Sequence, residues 1–158
     1  MIQSIIFILS FLSIAAAKPL DESISIQSSN PQIQFLNKHI YKMELPNATR
    51  YTISTNQLLD DNLNYSPSIN AELAPIIAQA KKAQHIAIHA FTDEGLSGKN
   101  GDAISSEQAQ RILDFMWFQG VDYSLMTAKG MGYSHPKVKD PKETNSNFFN
   151  RRIEIDIN

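Results

Sequence analysis

The sequence predicts an α+β sandwich, a mixed sheet with helices covering one face, its core elements in the order β-α-β-α-β-β. Three observations carry that prediction. Short segments with apolar residues at every second position alternate with longer segments of helical spacing. The last of these, Ile153, Ile155 and Ile157 against Arg152, Glu154 and Asp156, has the cleanest two-residue period in the chain. Between them, Ala109, Ile112, Leu113, Met116 and Trp117 trace one apolar helical stripe.

Taken in order, residues 1–17 read as a secretory signal. Ile5 to Ile14 is apolar apart from Ser10 and Ser13, and Ala15-Ala16-Ala17 offers small residues for cleavage before Lys18. The apolar run is shorter than the roughly 20 residues a membrane span needs. Residues 18–37 are polar, carry Pro19, Pro31 and Ser28-Ser29-Asn30, and read as a leader. Residues 38–158 form the expected domain.

His39 to Glu44 and Arg50 to Thr55 read as strands about Pro46-Asn47-Ala48, with Tyr41, Met43 and Leu45 expected to face inward. Asn47-Ala48-Thr49 fits a glycosylation sequon, but a hairpin turn accounts for it better. A helix follows, capped by Ser68 or Asn70 and built on Leu73, Ile76, Ile77 and Ala80. Pro75 is expected to kink its first turns or delay its start. His85 to Ala90 is a strand with Ile86, Ile88 and Ala90 on one face.

A loop from Asp93 to Ala103 holds three glycines. The next helix is expected to open at Ser106 with Ser105 as its N-cap, Gln108 completing a capping box and Gly120 closing the far end. Trp117 is expected in the core. Leu125 to Ala128 makes a short strand, and a polar loop over residues 134–147 leads to the last one.

Composition narrows the function. Across 158 residues the formal net charge is -2, which offers no basic footprint for nucleic acid. With no cysteine, disulfides, thiolate metal sites, a cysteine nucleophile and a lipidated N-terminal cysteine are not expected. His85 and His89 share a strand face but have no third ligand at metal spacing. No pair of acids opposed across a bond can be named, nor a nucleophile with its base, so no enzyme is expected.

The chemistry-bearing residues fall in a recognisable order. Phe91-Thr92-Asp93 is followed by Ile104-Ser105-Ser106-Glu107-Gln108-Ala109, then Ala128-Lys129-Gly130-Met131-Gly132-Tyr133, and finally Asn150-Arg151-Arg152-Ile153-Glu154. This order resembles the OmpA-like (OmpA C-terminal) peptidoglycan-binding domain, densest from Phe91 onward. The resemblance implies a non-catalytic periplasmic module of a Gram-negative envelope, at the cell wall or outer membrane. Its ligand would be the diaminopimelate of wall stem peptides. It needs no cofactor, and any membrane association would be indirect.

The family's ligand-gripping aspartate falls on Asp93, and its leucine-serine-x-x-arginine-alanine run falls on Ile104 to Ala109. Gln108 therefore stands where the family has arginine. Thr92, Asp93, Asn100, Ser105, Gln108 and Arg151 are the implied ligand-binding residues. A receptor for a zwitterion wants an acceptor beside donors. Asp93 would take the ammonium, and the amides opening a helix at Ser106 would take the carboxylate. A guanidinium–carboxylate pair contributes about 1.5–3 kcal/mol against about 0.5–1.5 for neutral bonds, so Gln108 implies binding weaker by roughly tenfold. Arg111 or Arg151 could supply the missing cation. The alternative is a structural component of an envelope or secretion complex whose wall site is weakened or lost.

Overall fold

The computed structural model describes residues 32–93, 100–139 and 149–158. The expected signal, most of the expected leader and parts of two loops lie outside them.

The strands are β1 (Ile33–Phe35), β2 (Ile40–Leu45), β3 (Ala48–Ser54), β4 (Ile86–Phe91), β5 (Met126–Gly130) and β6 (Arg152–Ile157), with α1 (Ile69–Ala80) after β3 and α2 (Gly101–Phe118) after β4. They form one six-stranded sheet in the order β1-β2-β3-β6-β4-β5. Only β4 and β5 run parallel, as the intervening helix requires. The last strand enters between β3 and β4, antiparallel to both. The α+β architecture with a mixed sheet is therefore the one predicted. The sheet begins earlier than the expected boundary at residue 38, because Ile33–Phe35 pairs with β2.

Alternation explains the core. Ile53, Ile86, Ile88, Ile153 and Ile155 line the helix side of the sheet and pack with Leu73, Ile76, Ile112 and Met116. The phase of β2 differs from expectation: Ile40 is the buried residue, while Tyr41 and Met43 are only half-buried. The reason is register, since Ile40 faces Ile53 across the ladder and shares its side. Pro46 and Asn47 form the hairpin link between Leu45 and Ala48. Pro75 sits inside α1 without ending it, and the helix starts at Ile69 after Ser68.

The other face of β6 departs most from a half-exposed strand. Arg152 and Glu154 are 2% and 3% exposed. Arg152 Nε donates to Glu154 at 2.7 Å, its Nη2 to the His135 carbonyl at 3.1 Å, and its guanidinium lies 3.7 Å from the Phe91 ring centroid. Arg50 pairs with Glu154 at 2.9 Å and donates twice to Asp156 at 2.6 Å. Asn150 accepts from the amides of Lys137 and Val138, fastening residues 137–138 to the chain just before β6. Buried charge survives here because each group is paired and hydrogen-bonded.

Helix α2 begins at Gly101, five positions before the expected opening at Ser106. Ser105 does not cap: its hydroxyl donates back to the Asp102 carbonyl at 3.0 Å and accepts the Gly132 amide at 3.0 Å. The second of those bonds ties α2 to the residues after β5 from inside the helix. Asn100 is the N-cap residue, with Asp102 in the first turn suiting the positive end of the dipole. Gly120, at φ 89°, closes the far end as expected. The apolar face runs through Ala109, Ile112, Phe115 and Met116, so Trp117 falls off it. It is 59% exposed, edge-on to Tyr123, and not a core residue.

Candidate functional site

The ends of three adjacent inner strands, β3, β6 and β4, meet at one end of the sheet. Ser54 faces Arg152 across one ladder and Phe91 faces Arg152 across the other. The residues just beyond those pairs, Thr55, Arg151 and Thr92-Asp93, are therefore neighbours. The Thr55 amide donates to the Arg151 carbonyl at 3.0 Å, and the Thr92 amide to the Gly132 carbonyl at 2.9 Å. Sequence separation is irrelevant to this grouping; strand pairing creates it.

Asp93 is 4% exposed and accepts from Arg151 Nε at 2.7 Å. Arg151 is one-quarter exposed and reaches into a cavity of about 270 Å³. Thr55, Asp60, Asp61, Ile104 and Gln108 contribute to its walls. Helix α2 presents Ile104 and Gln108 together because they lie four residues apart on one face. Gln108 is buried, and its Oε1 lacks a hydrogen-bond partner; the same holds for the Thr55 hydroxyl. Buried oxygens left unpaired are costly, and both belong to residues lining this cavity.

The six expected site residues thus have distinct positions. Asp93 and Arg151 are joined as an ion pair, and Arg151 and Gln108 line one cavity. Thr92 is buried behind Asp93, with its hydroxyl unpartnered. Asn100 sits at the start of α2, and Ser105 is committed to Asp102 and Gly132. The helix opening expected at Ser106 is displaced to Gly101, so the Ser106 amide lies inside the helical ladder rather than at its free end. Gly95 and Gly98, two of the three glycines of the loop after Asp93, lie outside the described residues. Arg111 is exposed beside Glu107 at 3.8 Å and is not a wall of the cavity.

Sequence reasoning missed Thr55, Asp60 and Asp61. The Asp60-Asp61-Asn62-Leu63-Asn64 run carries a readable turn signal, but nothing local says that the turn overhangs α2. Asp60 Oδ1 accepts the Asn62 and Asn64 amides at 2.9 and 2.8 Å, and Oδ2 accepts Asn64 Nδ2 at 3.0 Å. The Asn64 side chain, then its backbone amide, holds the Asp60 carboxyl below its ordinary value near 3.8. A depressed folded value means this turn is fully supported above the ordinary carboxylate range and loosens as pH falls through the lowered one. The amide shifts of Asn62 and Asn64 should accordingly stay constant from neutral pH down to about 4 and move only below it. Movement already at pH 6 would show that Asp60 does not hold the turn.

Among the described residues no group of three or more His, Cys, Asp or Glu could hold a metal. None of the described helices is long and apolar enough to cross a membrane.

The sequence model of the OmpA family matches residues 60–151, more than half of the chain. No curated protein sequence matches significantly. Among solved structures, the periplasmic domain of Helicobacter pylori MotB superposes with a TM-score of 0.68 at 15% identity, covering 80% of this chain and 86% of that one. The cell wall anchor of the T6SS from Pseudomonas aeruginosa gives 0.65 at 17%, covering 75% and 87%. The peptidoglycan-associated lipoprotein from Burkholderia pseudomallei gives 0.57 at 20%, covering 68% and 89%. At these identities the likeness is one of fold.

Proposed function

Because this chain belongs to the OmpA family, we propose that it is a non-catalytic peptidoglycan-binding protein of a Gram-negative periplasm. Its ligand is the diaminopimelate of wall stem peptides, taken at the cavity beside Asp93. The observation that carries this reading is the Asp93–Arg151 ion pair at 2.7 Å, whose arginine lines that cavity. Asp93 holds the guanidinium in place, and Arg151 offers the ligand's carboxylate the cation that Gln108 does not. The solved relatives support the same setting, being named for a cell wall anchor and a peptidoglycan-associated lipoprotein.

The intact protein should co-sediment saturably with purified sacculi. Gln108→Arg should tighten that binding by about tenfold, since a second guanidinium would meet the carboxylate. Absence of saturable binding by both proteins would refute the wall reading.

One observation favours the second reading, a component of an envelope or secretion assembly. Trp117 and Phe118 are 59% and 83% exposed, side by side at the end of α2. Large aromatics left open together suit a protein contact better than a wall glycopeptide. Under that reading, pull-downs from envelopes retain fixed partners after the sacculus is digested.

A further inference from the structure

The face of the sheet turned away from α1 and α2 carries a second cavity, of about 310 Å³, that the wall-binding reading leaves unused. Arg50 reaches it from β3, His89 from β4, Arg152 and Glu154 from β6, and His135 and Lys137 from the segment after β5. Arg152 and Glu154 are recessed, whereas the Arg50 and Lys137 side chains stay open to solvent at 28% and 43% exposure. His135 is exposed and His89 half-buried.

Charge on this face is unbalanced. The Glu154 carboxylate alone answers three cations: Arg152 Nε at 2.7 Å, Arg50 Nη1 at 2.9 Å and Lys137 Nζ at 3.6 Å. Asp156 takes part of Arg50, and Lys129 stands beside His89 on the adjoining strand. Four permanent cations are thus gathered about two carboxylates, in a chain whose net charge is -2. Such a surplus draws anions. The two imidazoles are uncommitted, since neither ring makes a hydrogen bond among the described residues. His135 adopts a left-handed φ of 54° while its carbonyl accepts Arg152 Nη2 at 3.1 Å, which ties its backbone to the recessed pair.

The donors that remain decide which anion fits. A carboxylate is planar and best held by one guanidinium presenting two parallel N–H groups. Arg50 has spent that fork on Asp156, through Nε and Nη2 at 2.6 Å each, and Arg152 has spent its Nε on Glu154. What is left are single donors on separate side chains: the outer N–H groups of Arg50, the Lys137 ammonium and the two rings. Donors on three separate segments of chain suit a tetrahedral group with three terminal oxygens, whose charge of about -1.5 to -2 matches the surplus.

We propose that this cavity is a phosphomonoester-binding site, in which Arg50, His89, His135 and Lys137 contact the phosphate oxygens and the Arg152–Glu154 pair positions them. It shares no lining residue with the cavity beside Asp93 and does not depend on wall binding.

Titration of the full chain with inorganic phosphate at constant ionic strength, followed through the imidazole resonances, tests this. His89 and His135 should shift saturably, and acetate should bind about tenfold more weakly or worse. His135→Gly suits the φ of 54°, so it removes a ring without threatening the fold. Lys137→Gln leaves Glu154 both of its guanidiniums, so it too is tolerated. The double variant should keep its melting temperature nearly unchanged and lose about tenfold in phosphate affinity. Flotation with vesicles containing phosphatidic acid, but not with pure phosphatidylcholine, places the monoester on a lipid headgroup; phosphate binding without flotation assigns a soluble one. Either result upholds the site. No saturable shift with phosphate, acetate binding as tightly, or unchanged affinity in the folded double variant overturns it.

Discussion

Arg151→Gln should reduce sacculus binding by about a hundredfold and also lower stability, because one side chain serves both ends. On the ligand side, the change removes the only guanidinium among the described residues lining the cavity and leaves a neutral amide that lacks the planar fork. On the protein side, Asp93 loses its guanidinium partner at a place where its side chain is 6% exposed. Breaking a fully buried pair from one side costs about 3–5 kcal/mol, but Arg151 is one-quarter exposed and water screens part of that. A loss of about 2–3 kcal/mol remains, which for a domain of this size lowers the melting temperature by about 5–10 °C.

The two effects separate by temperature. Arg151→Gln assayed for sacculus binding at a temperature well below its melting midpoint keeps the stability loss out of the affinity measurement, and wall binding should still be lost. Arg151→Lys should retain an intermediate affinity, since it preserves the charge without the fork. Wild-type affinity in Arg151→Gln, measured under conditions where the protein is folded, would remove Arg151 from the site.

Gly130→Ala should be the most damaging single methyl group in the described part of the molecule. Gly130 ends β5 where the strand presses directly on α2. A Cβ there would collide with the Ser106 backbone nitrogen and hydroxyl and come within 2.6 Å of the Ser105 hydroxyl. A clash with a flexible side-chain tip can be relieved, but the Ser106 nitrogen belongs to the helical ladder and moves only with the helix. Overpacking of a core costs about 1–3 kcal/mol when side chains can yield, so about 3–5 kcal/mol is expected here. Urea denaturation should show the midpoint falling sharply without a change in slope.

Gly120→Ala is the control. Its φ of 89° strains an alanine, but the nearest atoms sit at 3.6 Å on the mobile Lys81 side chain. The cost there should stay near about 1–2 kcal/mol. A Gly130→Ala midpoint equal to that of wild type would mean that α2 slides freely on β5. Since α2 also carries Gln108 and Ile104, such sliding would undo the cavity itself.

The period of the isoleucines determined the sheet. Every second position in β4 and β6 is apolar, and that pattern fits no helix, so the strands and their core face were readable one segment at a time. The family order of Asp93, Gln108 and the Asn150-Arg151-Arg152 run was equally local. Tertiary structure alone decided which charges meet. Asp93 and Arg151 are 58 residues apart and touch because β6 enters the sheet between β3 and β4. The same insertion buried Arg152 and Glu154 on a face whose alternation with isoleucine reads as solvent-exposed. It also set the Asp60–Asp61 turn over α2, where its acids share a cavity with Gln108. Ser105 has the composition of a cap, yet the approach of Gly132 turned it into an internal tie. Hydrophobic period is a property of neighbours along the chain. Ion pairing and cavity lining belong to neighbours in space, which strand order supplies.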